Sequence, residues 1–165
     1  MPIKDNDYSI SKKSQLLYEK LDNRLLSSDL VLMLLTVAPI KGMTKMQKQT
    51  FLAWKELFND VSVDLGYHPW KYGAYSKVVE NTIKILEKQQ HIDKRKRKGE
   101  GTVFEITKSG RNMIKHKIRT MELDLRNLTA KKTDWDDCTP RGTLRYVYRN
   151  YPEYTTKTNI PSLKW

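Results

Sequence analysis

Residues 68–108 read HPWKYGAYSKVVENTIKILEKQQHIDKRKRKGEGTVFEITK, and the order of elements in this stretch decides the fold. Val79, Ile83 and Leu86 recur at i, i+4 and i+7 with Val78 and Ile85 beside them, whereas Lys77, Asn81, Lys84 and Lys88 fall on the opposite stripe. The spacing predicts a helix with one core face and one long, basic face. Ser76 is placed to cap it, since its hydroxyl can accept from the unpaired amides of the first turn, and Gly73 permits a tight turn upstream. The helix is expected to end near Gln89 or Gln90. Beyond it, two strand-like runs flank Gly99-Glu100-Gly101 and predict a hairpin, with Phe104 and Ile106 on one face. Lys94, Arg95, Lys96, Arg97 and Lys98 lie on its outgoing side. In a strand, Lys94, Lys96 and Lys98 point one way and Arg95 and Arg97 the other, so charge is offered from both faces of a narrow ribbon.

The motifs flanking this unit carry a resemblance. Tyr72-Gly73-Ala74-Tyr75-Ser76 before the helix, and the run from Phe104 to Gly110 after the hairpin, resemble signposts of small winged-helix DNA-binding proteins. These include regulators of the MarR and PadR type and short archaeal and phage-associated proteins. Ala74 stands where the family has proline. The resemblance covers roughly residues 27–120 and implies DNA-bound transcriptional control.

Charge agrees with a polyanionic partner. Net charge is +12, and residues 71–119 hold 14 Lys and Arg against 5 Asp and Glu. A membrane surface is the competing partner, but no helix joins a lysine-rich face to a broad aromatic one. Cys138 is the single cysteine, so neither an intrachain disulfide nor a cysteine zinc cluster can form. Neither a signal-peptide pattern nor an apolar run long enough to span a bilayer is present, and a cytoplasmic location is expected.

Upstream, residues 1–11 read as a polar arm, followed by a helix carrying Leu17, Leu21 and Leu25, either packed on its own domain or extended to a second subunit. Ser27-Ser28-Asp29 opens an all-apolar helix that stops before Pro39 and belongs in the middle of a core. Residues 39–42 read as a turn, and Thr44 as the cap of a helix bearing Met46, Phe51, Trp54, Leu57 and Phe58. The connection 59–75 reads as an aromatic loop, longer than the turn of a minimal helix-turn-helix.

Downstream, Ile114, Ile118, Met121, Leu125 and Leu128 form a two-heptad stripe on a predicted helix 111–129. The stripe reads as the contact of a homodimer, or alternatively as packing against the helix near residues 14–26. Residues 130–137 read as a polar break, Thr139-Pro140 as a helix start, and the tail from Asn150 as a surface segment.

The expected fold is therefore mainly α with a β-hairpin wing: a winged helix-turn-helix with added N- and C-terminal helices. Its parts are an arm and helix (1–26), the DNA-binding domain (27–110) and a dimerising extension (111–165). Double-stranded DNA is the expected partner. Lys77, Asn81 and Lys84 are expected to face base edges, with Asn81 pairing to adenine. Residues 94–98 are assigned to phosphate or the minor groove, and Lys71, Tyr75, Ser76 and Lys88 to flanking contacts. An adaptor or antitoxin-like module with only non-specific nucleic-acid binding is the alternative.

Catalysis finds little footing. Asp134, Asp136 and Asp137 suit helix capping better than a metal, and Glu105 and Lys108 fall on opposite faces of a strand. His68, His91 and His116 have no ligand at helical spacing, so no cofactor, metal or enzymatic role is expected.

Overall fold

The computed structural model describes residues 23–160. The first helix, α1 (Ser27–Val37), has Leu30 through Leu35 withdrawn from solvent, as its all-apolar sequence requires. Its start is held by Asp29, whose carboxylate accepts the Leu26 amide at 2.8 Å. Burial raises the Asp29 pKa, against the lowering effects of that bond and of nearby Lys117. Around α1 pack α2 (Met43–Glu56), α3 (Lys77–Lys88) and α4 (Lys108–Thr120), with α5 (Arg126–Asp137) behind and α6 (Pro140–Asn150) on the far side of α2.

Residues 39–42 are more than the expected turn. Ile40–Lys41 is a strand, β1, that pairs antiparallel with the return strand of the basic hairpin through Ile40↔Phe104 and Lys41↔Val103. The sheet is therefore three-stranded, β1-β5-β4, where β4 is Ile92–Arg97 and β5 is Gly101–Ile106. Helix α2 starts at Met43, with Gly42 at φ +84° as its N-cap in place of Thr44. Glycine suits that position because the left-handed region strains other residues.

The connection 59–75 is ordered too. A 3-10 turn (Asn59–Val61) leads to a small hairpin of β2 (His68–Trp70) and β3 (Gly73–Tyr75), paired His68↔Tyr75 and Trp70↔Gly73. Gly73 has φ +85°, and Tyr148 of α6 packs so closely that an added Cβ would lie 2.8 Å from its ring. Upstream, Leu25 is buried, bridges Ser62 and lies outside any helix, unlike the expectation that a helix carries it; the remainder of that expectation, with the polar arm, lies outside the described residues.

The largest correction concerns residues 111–129. The predicted single helix is two: α4 ends at Thr120, the chain turns at Glu122 with φ 53°, and α5 begins at Arg126 and runs through the stretch read as a polar break. Ile114 and Leu128 are buried, and Ile118, Met121 and Leu125 are partly buried, all against the same core as α1. Two of the five stripe residues are thus committed to the chain's own core and the other three pack partly against it. The two-heptad pattern arises because both helices turn their apolar sides to α1 from either side of the bend. Trp135 and Val147 join this core as well, whereas Leu144 and Tyr148 of the same C-terminal part form a second small cluster.

Helix α6 begins as its sequence foretells: Thr139 Oγ1 accepts the Gly142 amide at 3.0 Å and Pro140 occupies the first turn. The tail beyond it is not merely superficial. Tyr151 and Tyr154 meet Phe51 edge-on at 5.1 and 4.8 Å, and the Asn159 amide donates to the Lys71 carbonyl at 2.8 Å.

Candidate nucleic-acid interface

The start of α3 is fixed from behind. Ser76 is 0% exposed; its hydroxyl accepts the Val79 amide at 3.1 Å and donates to the Leu65 carbonyl at 2.5 Å. Its backbone is gripped at both polar atoms by the Gln47 side chain of α2, at 2.8 and 3.1 Å, while Tyr67 donates to the Gln47 carbonyl at 2.9 Å. Ser76 therefore orients the helix and does not reach solvent, which removes it from the surface contacts expected of it. The reason is geometric: a cap whose hydroxyl already serves two backbone groups inside the core has nothing left to offer a phosphate.

From that fixed start the 3.6-residue period places Val79, Ile83 and Leu86 in the core and leaves Lys77, Asn81, Lys84 and Lys88 exposed. Glu80, on the same helix, lies among them. It accepts from the half-buried Tyr75 hydroxyl and pairs with Lys77 at 3.1 Å and Lys84 at 3.3 Å. The Tyr75 hydroxyl above all, then Lys77, hold the Glu80 carboxyl down at about 2. Desolvation first, and Glu80 second, push Tyr75 up to about 12. Lys77 and Lys84 are thus partly neutralised. Asn81 and Lys88 carry no such contact among the described residues.

The hairpin places its charge as the alternation requires. Lys94 lies opposite Phe104 and Lys96 opposite Thr102, while Arg95 lies opposite Val103 and Arg97 opposite Gly101. Lys98 has passed the end of β4 into the turn, so strand parity does not govern it. Arg95 pairs with Asp93, and Arg97 with Glu105 and Glu100, whereas Lys94, Lys96 and Lys98 extend into solvent with no ion pair among the described residues. The arginines brace the ribbon and the lysines remain available to an anion. Phe104 is buried as expected, and so is Val103 behind it.

Lys71 lies in the turn between β2 and β3, exposed, with its ammonium 5.8 Å from the centre of the Trp70 ring. Trp70 and Tyr72 are also exposed. Asp136 is occupied structurally: it accepts from Gln49 and from Lys132, each at 2.7 Å, with Lys45 at 3.5 Å. Burial lowers the Lys132 pKa and the Asp136 bond opposes that shift. Among the described residues no cluster of His, Cys, Asp and Glu suits a metal ion, and no helix is long and apolar enough to cross a membrane. Comparison with protein-family models, curated proteins and solved structures finds no match.

One further charged residue, outside the expected set, stands out in the fold. Lys48 of α2 is only 3% exposed, and its ammonium donates to the Ala74 carbonyl at 2.5 Å. A signal for it exists in the sequence: Lys48 stands three residues before Phe51 and so shares the apolar side of α2, where a lysine is out of place.

Proposed function

We propose that this chain is a winged-helix protein that binds double-stranded DNA sequence-specifically, as a cytoplasmic transcriptional regulator. The observation that carries the reading is the arrangement of α1, α2 and α3 against the sheet β1-β5-β4, with the exposed stripe of α3 leading directly into a hairpin bearing Lys94, Lys96 and Lys98. A helix held rigidly at its N-terminus beside a basic ribbon suits major-groove reading by the first and phosphate contact by the second. Asn81 is our choice for base reading, because its amide is exposed and can pair bidentately with adenine. Lys77 and Lys84 would exchange Glu80 for DNA acceptors, and Tyr75 serves by holding Glu80. A dimer through residues 111–129 forms no part of this proposal.

Selection of bound duplexes from a random pool, followed by titration over a range of salt, tests it. Lys94, Lys96 and Lys98 replaced together by serine should reduce the salt slope by about 0.9 for each phosphate that a lysine no longer neutralises. Asn81→Ala should cost about 1–3 kcal/mol on the selected sequence and little on a random one. Equal affinity of the wild type for selected and random duplexes would refute specific binding.

A second reading, a protein-interaction module, is favoured by one observation. Val78 and Ile85 are 50% and 54% exposed on α3, and Ile85 shares the wall of a shallow cleft with Met113, itself 41% exposed. An apolar edge beside the basic stripe is unusual for a helix that meets only DNA. Loss of a protein partner on Ile85→Ser, with duplex binding unchanged, would favour it.

A further inference from the structure

Lys48 lies between two half-open clefts. One, of about 160 Å³, is formed by the start of α2 and the β2–β3 hairpin, with Met43, Gln47, Trp70, Tyr72 and Tyr75 in its wall. The other, of about 240 Å³, lies between the same turn of α2 and helix α6, walled by Lys41, Thr44, Lys45, Pro140, Thr143 and Leu144. Met43, Thr44 and Lys48 belong to both. A cavity of about 150 Å³ admits benzene, so either cleft is large enough for a single six-membered ring.

The amine is held in an unusual state. It donates to one carbonyl, that of Ala74, and among the described residues no carboxylate lies within ion-pair reach of it. The titratable groups around the two clefts are Lys41 at the end of β1, Lys45 on α2, and Tyr72 and Tyr75 on the hairpin; α6 contributes none to their walls. Lys41 and Lys45 each have their own acid, Glu100 and Asp136 respectively, so neither acid is left for Lys48. An ammonium buried among such neighbours lacks both water and a counter-ion, so the neutral amine, with its lone pair free, is favoured. Burial accordingly brings the Lys48 pKa down to about 7.

We propose that Lys48 is a carbonyl-capturing amine, at which a small aldehyde or ketone carrying a flat apolar group condenses reversibly to an imine in these clefts. The lone pair of Nζ attacks the carbonyl carbon. The two protons on nitrogen pass to the carbonyl oxygen, which leaves as water, and C=N replaces C=O with no change of oxidation state. A desolvated lysine in an apolar pocket is the activated form of this nucleophile. The aromatic walls supplied by Trp70, Tyr72 and Tyr75 select a flat group.

The test is reductive trapping. The full chain is incubated with benzaldehyde and cyanoborohydride at neutral pH, and benzylation of each lysine is followed by peptide mass spectrometry. Lys48 should be modified at least about tenfold faster than exposed Lys94, Lys96 and Lys98, and its rate should level off near neutrality while theirs climb with pH. Thr44→Phe, which narrows the wall common to both clefts, should slow Lys48 and leave the exposed lysines unchanged, and Lys48→Met should abolish the fast site. Circular dichroism checks that each variant is folded. Slower labelling of Lys48 than of the exposed lysines in the folded wild type would overturn the proposal, as would equal labelling in Thr44→Phe. Neither result depends on DNA, so the winged-helix reading stands or falls separately.

Discussion

Replacing Lys48 with methionine should stabilise the protein, and by an amount that depends on pH. In the unfolded chain the amine titrates at the ordinary lysine value of 10.5, whereas in the folded protein burial brings it down to about 7. Between these values the unfolded state binds more protons than the native state, so native stability rises with pH across the window. Below about pH 7 the full cost of the buried amine is carried. At about 1.4 kcal/mol for each pH unit, the interval corresponds to a cost of about 4–5 kcal/mol near neutrality, an upper figure because a buried group relaxes and water reaches it. Methionine has a similar shape and no charge to desolvate, but it leaves the Ala74 carbonyl without its donor, which costs about 1–3 kcal/mol. The expected net gain is about 1–3 kcal/mol at neutral pH, shrinking to nothing and then reversing toward pH 10. Urea unfolding of both proteins at several pH values between about 6.5 and 10 measures it. A variant less stable than wild type at neutral pH, or a difference that stays constant across that range, would refute the reasoning.

The other expectations follow from packing. Ser76→Ala removes the cap of α3 and orphans the Leu65 carbonyl, and should lower stability by about 1–2 kcal/mol in denaturant unfolding. Gly110→Ala would drive a methyl group into the His91 carbonyl oxygen, a backbone atom just past the end of α3, so a loss of about 1–3 kcal/mol is expected, read as a lower Tm. Ile118 and Leu125 changed together to lysine should unfold or strongly destabilise the chain by circular dichroism, because both pack on its own core; folded monomers arising from a wild-type dimer would contradict that placement.

Local chemistry alone determined a good part of this protein. The helix of residues 77–88, its serine cap and its buried triad follow from a 3.6-residue period, and the split of lysines from arginines on the hairpin follows from strand alternation, each within a few residues of chain. The Thr139-Pro140 helix start is local for the same reason. What the tertiary structure decided depends on partners remote in sequence. A two-residue strand such as Ile40–Lys41 has no period to reveal it and exists because Val103 and Phe104 are there to pair with. The bend at Glu122 was hidden because two helices flanking one core can keep an apolar stripe in register across a break. Ser76 looked like a surface cap until Gln47 and Leu65 closed over it. Lys48 shares a helix face with Phe51 in the sequence, but its single acceptor on Ala74 and the two clefts beside it arise only when α2, the β2–β3 hairpin and α6 come together. Burial and counter-ions are properties of the assembled chain, because whether a charge is solvated depends on every element packed around it.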